Sequence, residues 1–199
     1  MRQGSPLSPF LLVTVLDGVI KKCLSKWHSQ KMGLKLGEHY FSLLAFADDI
    51  LIFSHKPSEL TRMALDLSDA LAEIGLTINW GKCSWTCNTD EELSLAVQGN
   101  TLPYIPAHAG FPYLGTLLTF DGRSGTTLDH RMSSAWRAFY SRSDIWSSKS
   151  SLHSKLHVFR MTVEPCALFG CGSWHLIRQE RNTLDTTLRR IEEAGCLLC

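Results

Sequence analysis

The sequence predicts an α+β fold, in which a mixed first part of small antiparallel strands and packed helices gives way to a helical region. Two short apolar runs rich in β-formers, residues 41–46 and 50–53, flank an Asp-Asp dipeptide as the arms of a hairpin would. Amphipathic helical patterns lie on both sides of that hairpin. From Thr126 onward every apolar pattern is helical, so the chain divides near residue 123 into parts 1–122 and 123–199.

The elements follow in order. Ser8 is placed to cap a helix whose first position is Pro9. Leu12, Val15, Leu16, Val19, Ile20, Cys23, Leu24 and Trp27 then recur at helical spacing, giving an amphipathic helix over 9–27. The hairpin comes next, with Phe46-Ala47-Asp48-Asp49 at its tip. Leu60, Met63, Ala64, Leu67, Ala70, Leu71 and Ile74 mark a second helix over 58–74, ended by Gly75 as a left-handed cap.

Leu76-Thr77-Ile78-Asn79 reads as a strand. Between 86 and 110 turn residues, three consecutive acids and two prolines break the pattern, leaving short strands at 93–97 and 102–105. Residues 113–118 read as one strand, closed by the turn signal Asp121-Gly122. Three helices finish the chain: one on Leu128, Met132, Ala135, Trp136 and Phe139, a second on Leu152, Leu156, Phe159 and Val163 that Pro165 stops, and a third on Leu184, Leu188 and Ile191.

Composition excludes several classes. Hydrophobic residues at 44% and charged residues at 20% are ordinary for a globular protein. No apolar run reaches the roughly 18 residues that suggest a membrane helix, so no membrane partner is expected. The apolar stretch 10–20 carries Asp17 and is not preceded by a basic leader. The 7 cysteines are odd in number and scattered, which favours reduced thiols, an intracellular (nuclear or cytoplasmic) setting and no disulfide-linked partner. Cys83-x3-Cys87, Cys166-x4-Cys171 and Cys196-x2-Cys199 lack a second pair at finger spacing, which argues against zinc. Residues 1–122 are net acidic and 123–199 net basic, a split that suits an enzyme handling polynucleotides.

Adjacent carboxylates repel and raise one another's pKa unless a cation neutralises them. Asp48-Asp49 at a hairpin tip is therefore a candidate site for a hard divalent cation such as Mg²⁺, beside the simpler reading of a solvated turn.

Four segments occur in one order: Arg2-Gln3-Gly4-Ser5-Pro6-Leu7-Ser8-Pro9, Phe46-Ala47-Asp48-Asp49, Gly75-Leu76-Thr77-Ile78-Asn79 with Lys82, and Phe111-Pro112-Tyr113-Leu114-Gly115. Together they resemble the second half of a reverse transcriptase (RNA-directed DNA polymerase) palm, most of all that of non-LTR, LINE-type retrotransposons. The resemblance implies a partial polymerase palm over 1–122 and a helical thumb-like region over 123–199. It implies two-metal nucleotidyl transfer with Mg²⁺, in which one metal activates the primer 3′-oxygen and the other holds the triphosphate. Partners would be an RNA template, a DNA primer or duplex, and dNTP.

By the same resemblance Asp48 and Asp49 are metal ligands and catalytic, and Lys82 protonates the pyrophosphate. Gln3, Gly4, Ser5 and Pro6 meet the incoming nucleotide and template, where Gly4 lets backbone approach closely. Tyr113, Leu114 and Gly115 form the primer grip. Lys82 reads equally well as a solvated lysine, and residues 113–115 as a plain buried strand. Trp136, Phe139 and Trp146 resemble thumb residues, with packing the better account of them. Arg131, Arg137, Arg142, Lys149 and Lys155 are candidates for duplex phosphates, or for a solvated face.

One departure stands out. The family's first catalytic aspartate lies upstream of the Gln-Gly segment, and only Met1 and Arg2 precede it in this sequence. The expectation is a fragment of a reverse transcriptase domain, inactive alone, with an incomplete two-metal site. Two alternatives remain: a non-catalytic nucleic-acid-binding remnant, and a fragment of an intron-encoded reverse transcriptase or maturase.

Overall fold

The computed structural model describes residues 7–89 and 94–197. These form two compact units, one from residues 7–86 with 94–104 and the other from 87–89 with 105–197.

In the first unit, α1 (Leu7–Ser29) and α2 (Pro57–Ala72) pack together. Leu16, Val19, Cys23 and Trp27 are buried on α1, at the three- and four-residue steps that put side chains on one helix face. They meet Met63, Leu67, Ala70 and Leu71 of α2, with Met32 closing the cluster. Each such fully buried large side chain contributes on the order of 1.5–3 kcal/mol relative to exposure. The helix begins by Leu7, so Ser8 lies inside the first turn rather than at the cap. It ends where Lys31 turns left-handed (φ 56°) and Met32 N–H bonds Trp27 O at 2.9 Å.

Two hairpins join these helices: β1 (Leu34–Leu36) with β2 (His39–Phe41), and β3 (Leu43–Phe46) with β4 (Asp49–Ile52). The first of these was not read from the sequence, because three-residue strands carry too little pattern. After α2, Gly75 adopts φ 76° and Leu76 N–H bonds Leu71 O at 3.0 Å, a left-handed cap as the sequence indicates. Residues 76–79 form no strand. Leu76 and Ile78 still pack on the core, but among the described residues no strand pairs with them. β5 (Leu95–Val97) and β6 (Asn100–Leu102) complete the unit as a hairpin turning at Gln98-Gly99. Residues 102–105 are thus the end of a hairpin arm followed by a single parallel bridge from Tyr104 to Trp85, rather than one strand.

The second unit opens with β7 (Phe111–Tyr113) and β8 (Thr116–Leu118), a hairpin where the sequence suggested one strand. Leu114 (φ 48°) and Gly115 (φ 76°) both take left-handed backbone, the requirement of a two-residue turn that matches strand twist. Gly122 N–H then bonds Thr119 O at 3.2 Å in the expected turn.

α3 (Gly125–Tyr140), the short α4 (Ser143–Trp146), α5 (Leu152–Leu168) and α6 (Arg178–Leu197) follow. Their core joins Leu128, Met132, Ala135 and Phe139 of α3, Trp146, Phe159, Val163 and Ala167, and Ile191 of α6. Pro165 does not stop α5; it lies exposed within the helix, and Ala167 beyond it is fully buried, so packing outweighs one lost backbone bond. No helix among the described residues is long and apolar enough to cross a membrane.

Candidate functional site

The β3–β4 register pairs Leu43 with Ile52, Leu44 with Leu51, Ala45 with Ile50 and Phe46 with Asp49. Ala47 and Asp48 are therefore the whole loop. Ala47 takes φ 53°, a left-handed conformation that costs a residue with a Cβ roughly 1–2 kcal/mol. Alternation along the strands gives the hairpin two faces. Leu43, Ile50 and Ile52 pack against the α1–α2 core, while Leu44, Phe46 and Asp49 are exposed.

Packing of one face thus fixes the direction of the other. Asp48 and Asp49 stand in solvent at the tip, beside Phe46 at 65% exposure and Leu44 at 41%. Both β3 and β4 pair only with each other among the described strands, so each presents a free edge.

Two adjacent carboxylates supply the hard oxygen donors that Mg²⁺ prefers. Among the described residues, however, no group of three or more His, Cys, Asp or Glu side chains converges to hold a metal ion. The described side chains do not by themselves make a metal centre, so no chemical step is assigned to one. Among the described residues, Cys23, Cys83, Cys166 and Cys171 form no disulfide.

Lys82 is exposed in a single helical turn, Trp80–Lys82, after the coil that replaces the expected strand. No hydrogen bond or ion pair joins it to Asp48 or Asp49 among the described residues. Gln3, Gly4, Ser5 and Pro6 lie outside the described residues.

Tyr113, Leu114 and Gly115 sit at the β7–β8 turn of the second unit, with Leu114 40% exposed at the tip. The turn is held from inside. Thr116 Oγ1 donates to Tyr113 O at 3.0 Å, and the Thr127 hydroxyl of α3 serves both backbone groups of Leu117, accepting from N–H at 3.1 Å and donating to C=O at 3.0 Å. The reading of these residues as a plain buried strand gives way to an exposed turn on a supported hairpin.

The cationic residues divide. Arg137, Arg142 and Lys149 are exposed. Lys155 is not a surface cation: it is 1% exposed, and its ammonium donates to Trp146 O at 2.6 Å. Arg131 donates to Gly115 O, and its guanidinium lies 4.5 Å from the Phe169 ring centroid. Phe139 and Trp146 stack in the core at 5.0 Å and 11°, and the Trp146 indole donates to Phe139 O at 2.6 Å. The involvement of Phe169 was not visible in the sequence, since nothing local links residues 115, 131 and 169.

A family model described as reverse transcriptase (RNA-dependent DNA polymerase) matches residues 1–118. Among curated proteins, the chain is 29% identical over 62% of its length to the retrovirus-related Pol polyprotein from type-2 retrotransposable element R2DM of Drosophila melanogaster. It is 26% identical over 96% of its length to the corresponding polyprotein from type-1 retrotransposable element R2 of Popillia japonica. It is 25% identical over 66% of its length to an uncharacterized transposon-derived protein of Caenorhabditis elegans. The chain spans 12%, 27% and 48% of these relatives, respectively. No solved structure matches it significantly.

Proposed function

The chain belongs to the reverse transcriptase (RNA-dependent DNA polymerase) family, and from that premise we propose that it carries the C-terminal part of a polymerase palm followed by a thumb-like helical region. Its likeness to R2 polyproteins allies it with the non-LTR retrotransposon type. In this reading residues 1–122 are the palm part and 123–199 the thumb-like part. The β3–β4 tip is the catalytic position, and its partners are an RNA template, a DNA primer and dNTP.

The single observation behind this reading is the hairpin at 43–52, inside the matched segment. Its packed face leaves Asp48, on a two-residue turn, and Asp49, the first residue of β4, in solvent. Mg²⁺ bound there would supply charge neutralisation for nucleotidyl transfer. The residues' own part is to present carboxylates on a rigid strand end. Exposed Lys82 is the proposed proton donor. Gln3, Gly4, Ser5 and Pro6 are proposed to meet nucleotide and template, and Tyr113, Leu114 and Gly115 the primer end.

Because only two carboxylates stand together among the described residues, and the chain spans at most 48% of these relatives, we infer an incomplete catalytic site that needs further carboxylate from elsewhere. Primer extension by the purified chain on poly(rA)/oligo(dT) with Mg²⁺ tests both parts. The expected result is retention of the primer–template in a salt-dependent complex with no extension. Robust synthesis abolished by Asp48→Ala would overturn incompleteness. Absence of any salt-dependent binding to the hybrid would overturn the polymerase reading.

A further inference from the structure

Resting on the reading of the β7–β8 turn as a primer contact, we propose that Arg131 is a positioning residue for that turn, holding it from behind rather than touching nucleic-acid phosphate. Sequence alone placed Arg131 among the phosphate candidates. In the fold its guanidinium is already committed. One Nη donates to Gly115 O, the Phe169 ring covers one face, and Nε is buried without a hydrogen-bond partner. A cation aimed at a solvent-side phosphate would keep those donors outward.

The surroundings are shaped for this clamp. A Cβ built at Gly115 would lie 2.9 Å from Phe169 Cε1 and 3.1 Å from Arg131 Nη2, so the turn sits directly on the pair. Gly170, left-handed at φ 76°, lets the chain after α5 pass the turn, since a Cβ there would come within 3.0 Å of Thr116 Cγ2. Thr127 fixes Leu117 from α3. The turn is thus tied on one side by two α3 residues and on another by the end of α5, which leaves Leu114 pointing out. A cation–π contact with Phe169 adds to the carbonyl bond, and a flexible lysine would reproduce only the latter.

The test uses the whole chain with Arg131→Ala, Arg131→Lys and Phe169→Leu. Two readouts are followed: hydrogen exchange of residues 111–119, and binding to a labelled DNA primer on an RNA template with either a recessed or a blunt end. Expected for Arg131→Ala is at least a tenfold rise in exchange at Thr116 and Leu117. Preference for the recessed end should fall about fivefold, with an unchanged slope of log K against log salt. Arg131→Lys and Phe169→Leu should give intermediate effects, and they carry the test if Arg131→Ala does not fold.

A slope reduced by about one with unchanged exchange means a lost phosphate contact and overturns the proposal. Exchange unmoved in all three variants overturns it as well. Faster exchange in a chain whose wild type binds recessed and blunt ends alike supports the positioning role and overturns the primer reading of the turn.

Discussion

The indole N–H of Trp27 on α1 donates to Asp66 Oδ2 on α2 at 3.0 Å, and Lys26 Nζ meets the other oxygen of the same carboxylate at 2.7 Å. Trp27 is fully buried and the Asp66 side chain only 15% exposed, so this is the polar seam of the helix pair under the Asp-Asp hairpin. Asp66→Ala would leave a buried indole donor without an acceptor, a loss of about 1–3 kcal/mol. Asp66→Asn keeps an acceptor for Trp27 and gives up mainly the Lys26 pair, about 1 kcal/mol or less. Urea titration of the two variants measures the difference. Equal losses would mean that the indole bond contributes nothing.

The Thr127 hydroxyl of α3 serves both the N–H and the C=O of Leu117. Thr127→Val keeps the shape of this buried side chain and removes both bonds, at a cost of about 1–2 kcal/mol, while Thr127→Ser retains them. Thermal melts rank the three chains. The prediction fails if the valine variant melts with wild type.

Ala47 carries a left-handed φ of 53° at the tip that presents Asp48. Ala47→Gly removes a strain of about 1–2 kcal/mol against an entropic cost of about 0.5–1 kcal/mol, so stability should hold or rise slightly. Ala47→Val should lose more than 1 kcal/mol, because a β-branched side chain tolerates this φ worst. Loss of stability in the glycine variant would show that the alanine side chain is needed at the tip.

Burial pushes the Cys23 thiol up, with the Asp66 carboxylate adding to the rise. The folded chain therefore holds this proton more tightly than the unfolded chain does. The stability this brings is fully present below the ordinary thiol pKa and is lost as pH climbs through the raised native one. At pH 8, iodoacetamide should modify Cys23 far more slowly than exposed Cys171, and urea should equalise the two. Peptide mapping by mass spectrometry reads both rates, and comparable rates in the folded chain would contradict the burial account.

Sequence by itself determined the features written within a few residues. The apolar steps at 16, 19, 23 and 27 built α1, the apolar arms around Asp48-Asp49 closed as a hairpin, Gly75 capped α2, and Asp121-Gly122 turned the chain. Periodicity, φ preference and turn chemistry act locally, so they survive whatever the rest of the chain does. Only the tertiary structure decided the rest. Residues 76–79 had strand-forming side chains and pair with no strand among the described residues, while 111–118 folded back at Leu114-Gly115 into a hairpin that Thr127 of α3 ties at one arm. Lys155 and Arg131 read as surface cations by type, yet Trp146 O and the Gly115–Phe169 pair drew them inward. Those outcomes depend on partners as far apart in sequence as Arg131 and Phe169, which no local pattern encodes. The Asp pair belongs to both accounts: its turn was local, and its exposure was fixed by which face of the hairpin α1 and α2 bury.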